Sequence, residues 1–408
     1  MNKVWFLTEL YYPEETSTGY LLTKIAEGLA EKHSVGVITG PATKAEEVTA
    51  APDYEVHNGV EIRRGWGTDF DKNNLFGRGV NWITRASSMG ARALRIIDSD
   101  DVVVVVTNPP VLPYLTLFLK WVTGCRVVLL VHDVYPELLT ATEVASEESM
   151  FVRVWHRLSR YLYNYVDRIV SLGRDMSRLL RRKVNDPDRI RRIWNWAEND
   201  LIEPMSRGEN PLRQKYDLQE KFVVLYAGNH GRTHGIEHLA EAARIFDEEN
   251  SDIHFLFAGF GAKKEWLERY VSSHGLENVT SIGRYARSDQ KEILSAGDLA
   301  VISYVPGMAG ISVPSRMYNH MAAGTPILAI ADHWSELNHV VQEEEIGWRA
   351  PPGNVDDIVS VIRYASSNLE VCQKKGERAA NVAKTKYDFS TVNTRYENLL
   401  SDMNGSNS

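Results

Sequence analysis

Val102-Val103-Val104-Val105-Val106 is five β-branched residues in succession, with no polar position among them. A strand with one wet face alternates apolar and polar residues, whereas a strand covered by helices on both faces does not. The run therefore predicts an interior strand of a parallel sheet. Its surroundings repeat the pattern. Val4–Thr8, Val35–Thr39, Val127–Val131 and Arg168–Ser171 are short strand-like runs, and Leu21, Leu22, Ile25, Ala26, Leu29 and Ala30 recur at helical spacing between the first two. Strand and helix patterns in alternation mark βαβ units. Residues 41–60 and 66–80 are polar and loop-like, and no element is assigned to them.

The alternation breaks around Trp194-Asn195-Trp196, and the following stretch to Asn210 is polar with a proline and a glycine. It restarts with strands at Phe222–Ala227, Ile253–Ala258, Val279–Ile282, Leu299–Ser303 and Pro326–Ile330. Helical patterns at Ile236–Asp247, Lys263–Ser273, Ser288–Gly297 and Pro314–Ala323 lie between them, and a helical stretch from about Val355 to Met403 ends the chain. At 408 residues the chain is long for one hydrophobic core. The expected fold is α/β, two tandem Rossmann-like doubly wound domains with a deep cleft between them. The expected division is 1–195, a linker at 196–210, a second domain at 211–385, and a C-terminal helix and tail at 386–408 returning to the first domain.

Composition removes several functional classes. A net charge of -8 and the lack of a nucleic-acid motif argue against DNA or RNA as the partner. Cys125 and Cys372 match no metal-ligand spacing, and Cys125, opening a strand-like run, reads as a buried, reduced thiol, a cytoplasmic pattern. The apolar start MNKVWFLTEL is too short for a secretory signal. The longest apolar run, Val111–Val122, contains a proline and a lysine and falls well short of the roughly 20 residues needed to span a bilayer.

In open α/β sheets, ligands bind beyond the carboxyl ends of the strands. Four loops there carry candidate chemistry. In Glu9–Gly19, the small residues Thr16, Ser17, Thr18 and Gly19 meet a helix start, where N–H groups and the dipole suit an anion and equally suit ordinary capping. In Tyr226–Gly235, Asn229, Gly231 and Arg232 form a glycine-rich turn with a fixed cation at the next helix start, a diphosphate site or a purely structural turn. The GFG at 259–261 reads as a tight turn. In Val305–Asn319, the small-residue loop leads into a helix opened by Pro314 and Ser315, with the N–H groups of Ser315–Tyr318 facing a second anion site. Finally, His132-Asp133 follows a strand directly, which makes His132 a candidate acid, base or sugar contact as well as a candidate structural histidine.

No metal site is expected. Asp98-Ser99-Asp100 precedes the valine strand, on the wrong edge of the sheet, and Asp186-Pro187-Asp188 reads as a turn. Residues 153–192 hold twelve Lys and Arg against four Asp, interleaved with Trp155, Tyr161, Tyr163 and Tyr165. This segment fits either a peripheral contact with anionic membrane or a solvated helical face.

The segments YYPEETSTG at 11–19, HDVYPE at 132–137, IWNWAEN at 193–199, YAGNHGRTHGIEHL at 226–239 and GISVPSRMYNHMAAGTPILAI at 310–330 together resemble the retaining glycosyltransferases of family 4, with the GT-B fold, on the fucosamine-transferase-like branch of bacterial polysaccharide assembly enzymes. That resemblance implies transfer of a sugar from a nucleotide diphosphate sugar, UDP-linked by preference, to a saccharide or lipid-linked acceptor, with no cofactor beyond that co-substrate. It implies catalytic roles for His132, Asp133 and Arg232, and an acceptor side at Thr16, Ser17 and Thr18. Donor binding would fall to Gly19, Asn229, Gly231, Arg284, Tyr285, Met308, Ala309, Gly310, Ile311, Ser312, Ser315, Arg316 and Asn319. Arg284 and Tyr285 fall where the family holds the nucleobase, and Met308–Ser312 where it surrounds the sugar. The family's two loop glutamates are replaced by Ile311 and Asn319, and its lysine before Gly235 by His234, which leaves Arg232 as the expected diphosphate cation. The implied mechanism is front-face departure of the diphosphate without a metal. A sugar-nucleotide epimerase and a non-catalytic relative of the same fold are the alternatives.

Overall fold

A computed structural model of the chain describes residues 3–41, 51–70 and 75–405. The elements of the first half are β1 (Val4–Thr8), α1 (Ser17–Ala30), β2 (Val35–Thr39), β3 (Tyr54–His57), β4 (Val60–Arg64), α2 (Leu75–Ile96), β5 (Val102–Val106), α3 (Leu112–Thr123), β6 (Arg126–Val131), α4 (Glu137–Ala141), α5 (Met150–Tyr165), β7 (Arg168–Ser171), α6 (Arg174–Arg181) and β8 (Ile190–Arg192). The second half continues with α7 (Pro211–Lys215), β9 (Phe222–Ala227), α8 (Ile236–Glu248), β10 (Ile253–Ala258), α9 (Lys264–His274), β11 (Val279–Ile282), α10 (Gln290–Leu294) and β12 (Leu299–Ser303). Then follow α11 (Arg316–Ala322), β13 (Ile327–Ile330), α12 (Glu336–Glu343), β14 (Gly347–Ala350), α13 (Val355–Ser367), α14 (Leu369–Thr385) and α15 (Phe389–Gly405).

Two compact units result. One comprises residues 1–137, 146–194 and 392–408, the other residues 138–145 and 195–391. The first is built on a sheet of order β3-β4-β2-β1-β5-β6-β7-β8, the second on β11-β10-β9-β12-β13-β14. Every pairing is parallel except β3 with β4. Both units are thus Rossmann-like α/β domains. The valine run lies between β1 and β6 and is buried at every position, as its lack of alternation requires. In the second unit, Phe222, Val224 and Tyr226 of β9 and Phe255 and Phe257 of β10 pack with Leu239, Ala243 and Phe246 of α8 and with Ile358 and Ile362 of α13. Because the strands of each sheet run parallel, the loops that follow them gather at one rim of that sheet.

Three elements depart from the sequence expectation. The segments left unassigned hold β3, the first residue of β4 and the first turns of α2, while residues 42–50 and 71–74 lie outside the described residues. Asn58 and Gly59 both take positive φ (47° and 80°) and turn β3 into β4, the Asn-Gly signature of a two-residue hairpin. That signal was in the sequence, and the polarity of the exposed edge strand masked it. Residues 196–210, expected as a linker, are grouped with the second unit, where Ala197 bridges to Asp388. The C-terminal helical stretch is three helices. Most of α15 belongs to the first unit, where Lys32 pairs with Glu397 and Arg126 donates to the Met403 carbonyl.

Candidate functional site

In the first unit, the loop after β1 is fixed from below by buried arginines. Arg64 donates to the carbonyls of Pro52 and Tyr12, both at 2.7 Å, and Arg85 pairs with Glu9. Thr16 caps α1, its hydroxyl accepting the Gly19 N–H at 3.4 Å. A Cβ on Gly19 would meet the Glu14 carbonyl at 2.9 Å, so the tight entry to the helix requires glycine there. Capping therefore uses the Gly19 N–H itself, while Ser17 and Thr18 occupy the first turn.

His132 and Asp133 emerge from β6 with both N–H groups on the Thr107 hydroxyl, at 3.1 and 3.2 Å. Burial pushes the His132 imidazole down to about 4, so it is neutral at physiological pH. Its Nε2 is buried with no hydrogen-bond partner. A neutral ring with an unused nitrogen can accept or donate one hydrogen bond to a hydroxyl, according to tautomer.

In the second unit, the turn after β9 is built by close backbone approach. A Cβ on Gly259 would lie 2.0 Å from the Gly228 carbonyl oxygen, and one on Gly261 would lie 2.4 Å from Asn229 Oδ1. The GFG at 259–261, expected as a tight turn, is an open loop whose two glycines let it lie directly against the Gly228–His230 backbone. Arg232 is exposed on this turn and has no ion pair or hydrogen bond among the described residues. Lys263 donates to the His234 carbonyl at 2.6 Å and pairs with Glu237, fixing the turn to α8. Position 234 itself holds a histidine that bonds Thr233 and stacks on Tyr304. Burial, then the charge of Arg316, hold it well below the usual histidine range.

Arg316 is the cation at the centre of this unit's rim. Its guanidinium lies 5.0 Å from the Tyr226 ring centroid, its Nη1 points to the Ala227 carbonyl at 3.5 Å, and its Nη2 is buried without a partner. A Cβ on Gly228 would come within 2.5 Å of Nη1, so the glycine admits the arginine to the head of β9. Around it stand His230 and His320, both fully buried, with no partner for either ring nitrogen. Burial first, then the Arg316 charge, lower His230 to about 4 and His320 to about 3. The Tyr285 phenol, raised chiefly by burial, also feels Arg316, and Arg284 stacks 3.9 Å over Phe260.

The third loop is tied down by a residue that the sequence did not single out. Asp332, just beyond β13, accepts the N–H groups of Gly307 and Ala309 at 3.2 and 3.0 Å. Met308, Ala309 and Ile311 are buried, and Ser312 is half-buried. Of the N–H groups expected to face an anion, those of Met317 and Tyr318 are bonded to the Pro314 and Ser315 carbonyls, because α11 opens in a tight turn after the proline. Asn319 Oδ1 accepts the Glu198 N–H at 3.2 Å, which uses one lone pair of the amide oxygen expected at the ribose. The signal for Asp332 was its place after a strand, the criterion that picked out His132.

Of the two formal Asp-x-Asp motifs, the second has a structural partner and the first lies beside one. The Asp101 carboxylate beside the first binds Trp5 Nε1 and the Asp98 N–H, and Asp186 caps a short 3₁₀ turn. Among the described residues, no group of three or more His, Cys, Asp or Glu could hold a metal ion, and no helix is long and apolar enough to cross a membrane.

Comparison with known proteins accounts for both units. Residues 19–196 match the glycosyl transferase 4-like domain and residues 209–382 the glycosyl transferases group 1 domain. The chain is 31% identical over 376 residues to the probable glycosyltransferase WbjE of Pseudomonas aeruginosa, covering 91% of this chain and 90% of that protein. It is 24% identical to the putative colanic acid biosynthesis glycosyl transferase WcaI of Escherichia coli (strain K12), covering 87% and 90%. The structure of Anabaena HepE in complex with UDP and glucose superposes with a TM-score of 0.75 at 15% identity, covering 98% of this chain and 100% of that one. WbjE and WcaI are both named as glycosyltransferases, which disfavours the epimerase and non-catalytic alternatives. The chain belongs to the group 1 glycosyltransferases and is a glycosyltransferase of the GT-B fold.

Proposed function

We propose that this enzyme transfers a hexose-type sugar, with retention at the anomeric carbon and without a metal, from a UDP-linked donor to a saccharide or lipid-linked acceptor of a cell-surface polysaccharide. The observation that carries the reading is the buried, unpartnered Nη2 of Arg316 beside the glycine-rich turn that bears Arg232. Two cations without carboxylate partners at one rim suit a diphosphate. WcaI, named for colanic acid biosynthesis, and HepE, seen with UDP and glucose, support the acceptor and donor classes.

In this mechanism the bond from the sugar's anomeric carbon to the β-phosphate oxygen breaks, and its electron pair leaves with UDP. Arg316 and Arg232 stabilise that charge in place, an electrostatic role that needs no covalent nucleophile. The acceptor oxygen bonds to the anomeric carbon from the same face, and its proton passes to the departing phosphate oxygen. His132, neutral and with Nε2 unused, hydrogen-bonds a sugar hydroxyl. Neither Asp-x-Asp lies on the loops that carry Arg232 and Arg316, which supports the metal-free reading.

We infer that the enzyme works at the cytoplasmic face of a membrane, where a lipid-linked acceptor would be held. On α5, Met150, Phe151, Val154, Leu158 and Tyr161 are exposed along one stripe, flanked by exposed Arg153, Arg157 and Arg160. Beside it on α3, joined through Tyr114–Ser159 and the Lys120 ammonium on the Tyr165 carbonyl, Phe118, Trp121 (74% exposed) and Val122 face solvent. An apolar ridge bordered by arginines suits an anionic bilayer.

The test is to incubate UDP-hexoses with a lipid-linked acceptor extract, with and without EDTA, and to read the product's anomeric coupling by NMR. Retention with activity in EDTA is expected. An inverted product, or loss on chelation restored by Mg²⁺ or Mn²⁺, overturns the mechanism.

A further inference from the structure

The first unit carries its own concentration of positive charge, on chain segments that supply none of the donor rim. A cavity of about 300 Å³ is lined by Arg174, Ser177 and Arg181 of α6, Ile190 and Arg192 of β8, and Arg395 of α15. The α6 residues are spaced i, i+3, i+7, so one helical face supplies one wall. Arg192 and Arg395 close the other side. Their guanidinium carbons lie 5.9 and 3.9 Å from the ring centroid of Trp194, so a single indole fixes both. No carboxylate lines the cavity, and Arg181, Arg192 and Arg395 form no ion pair among the described residues. Burial and the neighbouring charge of Arg192 both work against the proton on Arg395.

Arg181, Arg192 and Arg395 are solvent-exposed around one space, and their like charges, without an ion pair among the described residues, set up a positive potential that draws in an anion. Arginine in particular offers a planar fork that matches phosphate oxygens two at a time. A cavity of this size exceeds one water many times over and accommodates a phosphate or diphosphate group.

We propose that Arg181, Arg192 and Arg395 form a binding site for a phosphate or diphosphate ester, separate from the donor diphosphate site of the second unit. The ester is either borne by a soluble or acceptor molecule or presented by a lipid headgroup, and both carry the same chemistry.

Inorganic pyrophosphate titrated calorimetrically into the UDP-saturated protein probes the site directly, because the donor diphosphate subsite is then filled. If UDP fails to bind, the same titration is run without it on Arg192→Gln/Arg395→Gln and on Arg316→Met, so failure of the donor assignment and failure of this site are told apart. The double variant is expected to bind pyrophosphate at least tenfold more weakly than wild type, while Arg316→Met retains this binding. Loss of a charge-assisted bidentate contact typically has that effect. Circular dichroism verifies folding, and Arg181→Gln, on a separate element, provides a second variant with the same expected direction. Co-sedimentation with phosphatidylglycerol vesicles separates the sources. Parallel loss of vesicle and pyrophosphate binding in the double variant assigns a lipid headgroup, and loss of pyrophosphate binding alone assigns a soluble or acceptor-borne phosphate. Equal pyrophosphate affinity in wild type and the folded double variant overturns the proposal, whatever the vesicles show.

Discussion

Arg316→Met separates a binding role from a structural one. In the empty enzyme the Arg316 guanidinium is poorly satisfied: one long contact to Ala227, the Tyr226 face, and a buried Nη2 with no acceptor. An unsatisfied buried donor costs about 1–3 kcal/mol, while a cation over an aromatic ring returns about 0.5–2 kcal/mol. Methionine keeps much of the length and removes both terms, so the folded state should change by no more than about 1 kcal/mol. For a unit of this size that is about 2–4 °C in Tm, of either sign. Ligand binding should respond far more. A hydrogen bond to a charged group is worth about 1.5–3 kcal/mol, or roughly a 10- to 150-fold loss of affinity for UDP. Uridine, which lacks the diphosphate, should bind the variant as it binds wild type. Calorimetric titration with both ligands reads the ratio. Histidine resonances give a second readout, because removing the charge that works with burial on His230, His234 and His320 should raise their titration midpoints. Unchanged UDP affinity in the folded variant, or equal losses for UDP and uridine, would refute the diphosphate role.

The other expectations follow from neighbouring features. His230 and His320 titrate near 4 and 3 when folded and near 6.5 when unfolded, so between pH 6.5 and about 4 the unfolded chain holds protons that the folded one does not. Stability should therefore fall as pH drops through that window, by roughly 1 kcal/mol for each histidine at pH 5.5; a urea midpoint that stays flat from pH 7.5 to 5 contradicts this. Asp332→Ala should raise the KM for the sugar nucleotide about tenfold while leaving UDP affinity nearly unchanged, since it frees two N–H groups of the loop proposed to surround the sugar. Equal effects on UDP and UDP-sugar would place the loop elsewhere. Sedimentation with phosphatidylglycerol vesicles should be lost at high salt and weakened by Arg153→Glu/Arg157→Glu, whereas equal partitioning onto neutral vesicles would leave the α5 ridge without its assigned partner.

Local pattern alone determined the architecture. The valine run and its parallel neighbours must be covered on both faces, and that requirement is written in consecutive residues. The same logic located His132, the Gly228–Gly235 turn and the loop ahead of α11, because strand ends and glycines are visible in one dimension. The β3–β4 hairpin was legible too, through Asn58-Gly59, but its outward residues resemble a loop in composition. Tertiary structure decided which charges act together. Arg232 was the expected diphosphate cation, yet Arg316, 84 positions later, reaches the head of β9 because Gly228 leaves it room. Asp332 clamps a loop 23 residues before it, and Asn319 is drawn to the Glu198 backbone. The arginines of the first unit meet only because α15 belongs with the sheet that begins the chain. Periodicity encodes which face of an element is buried; the partners that a long charged side chain finds depend on distances across the fold, which no local window contains.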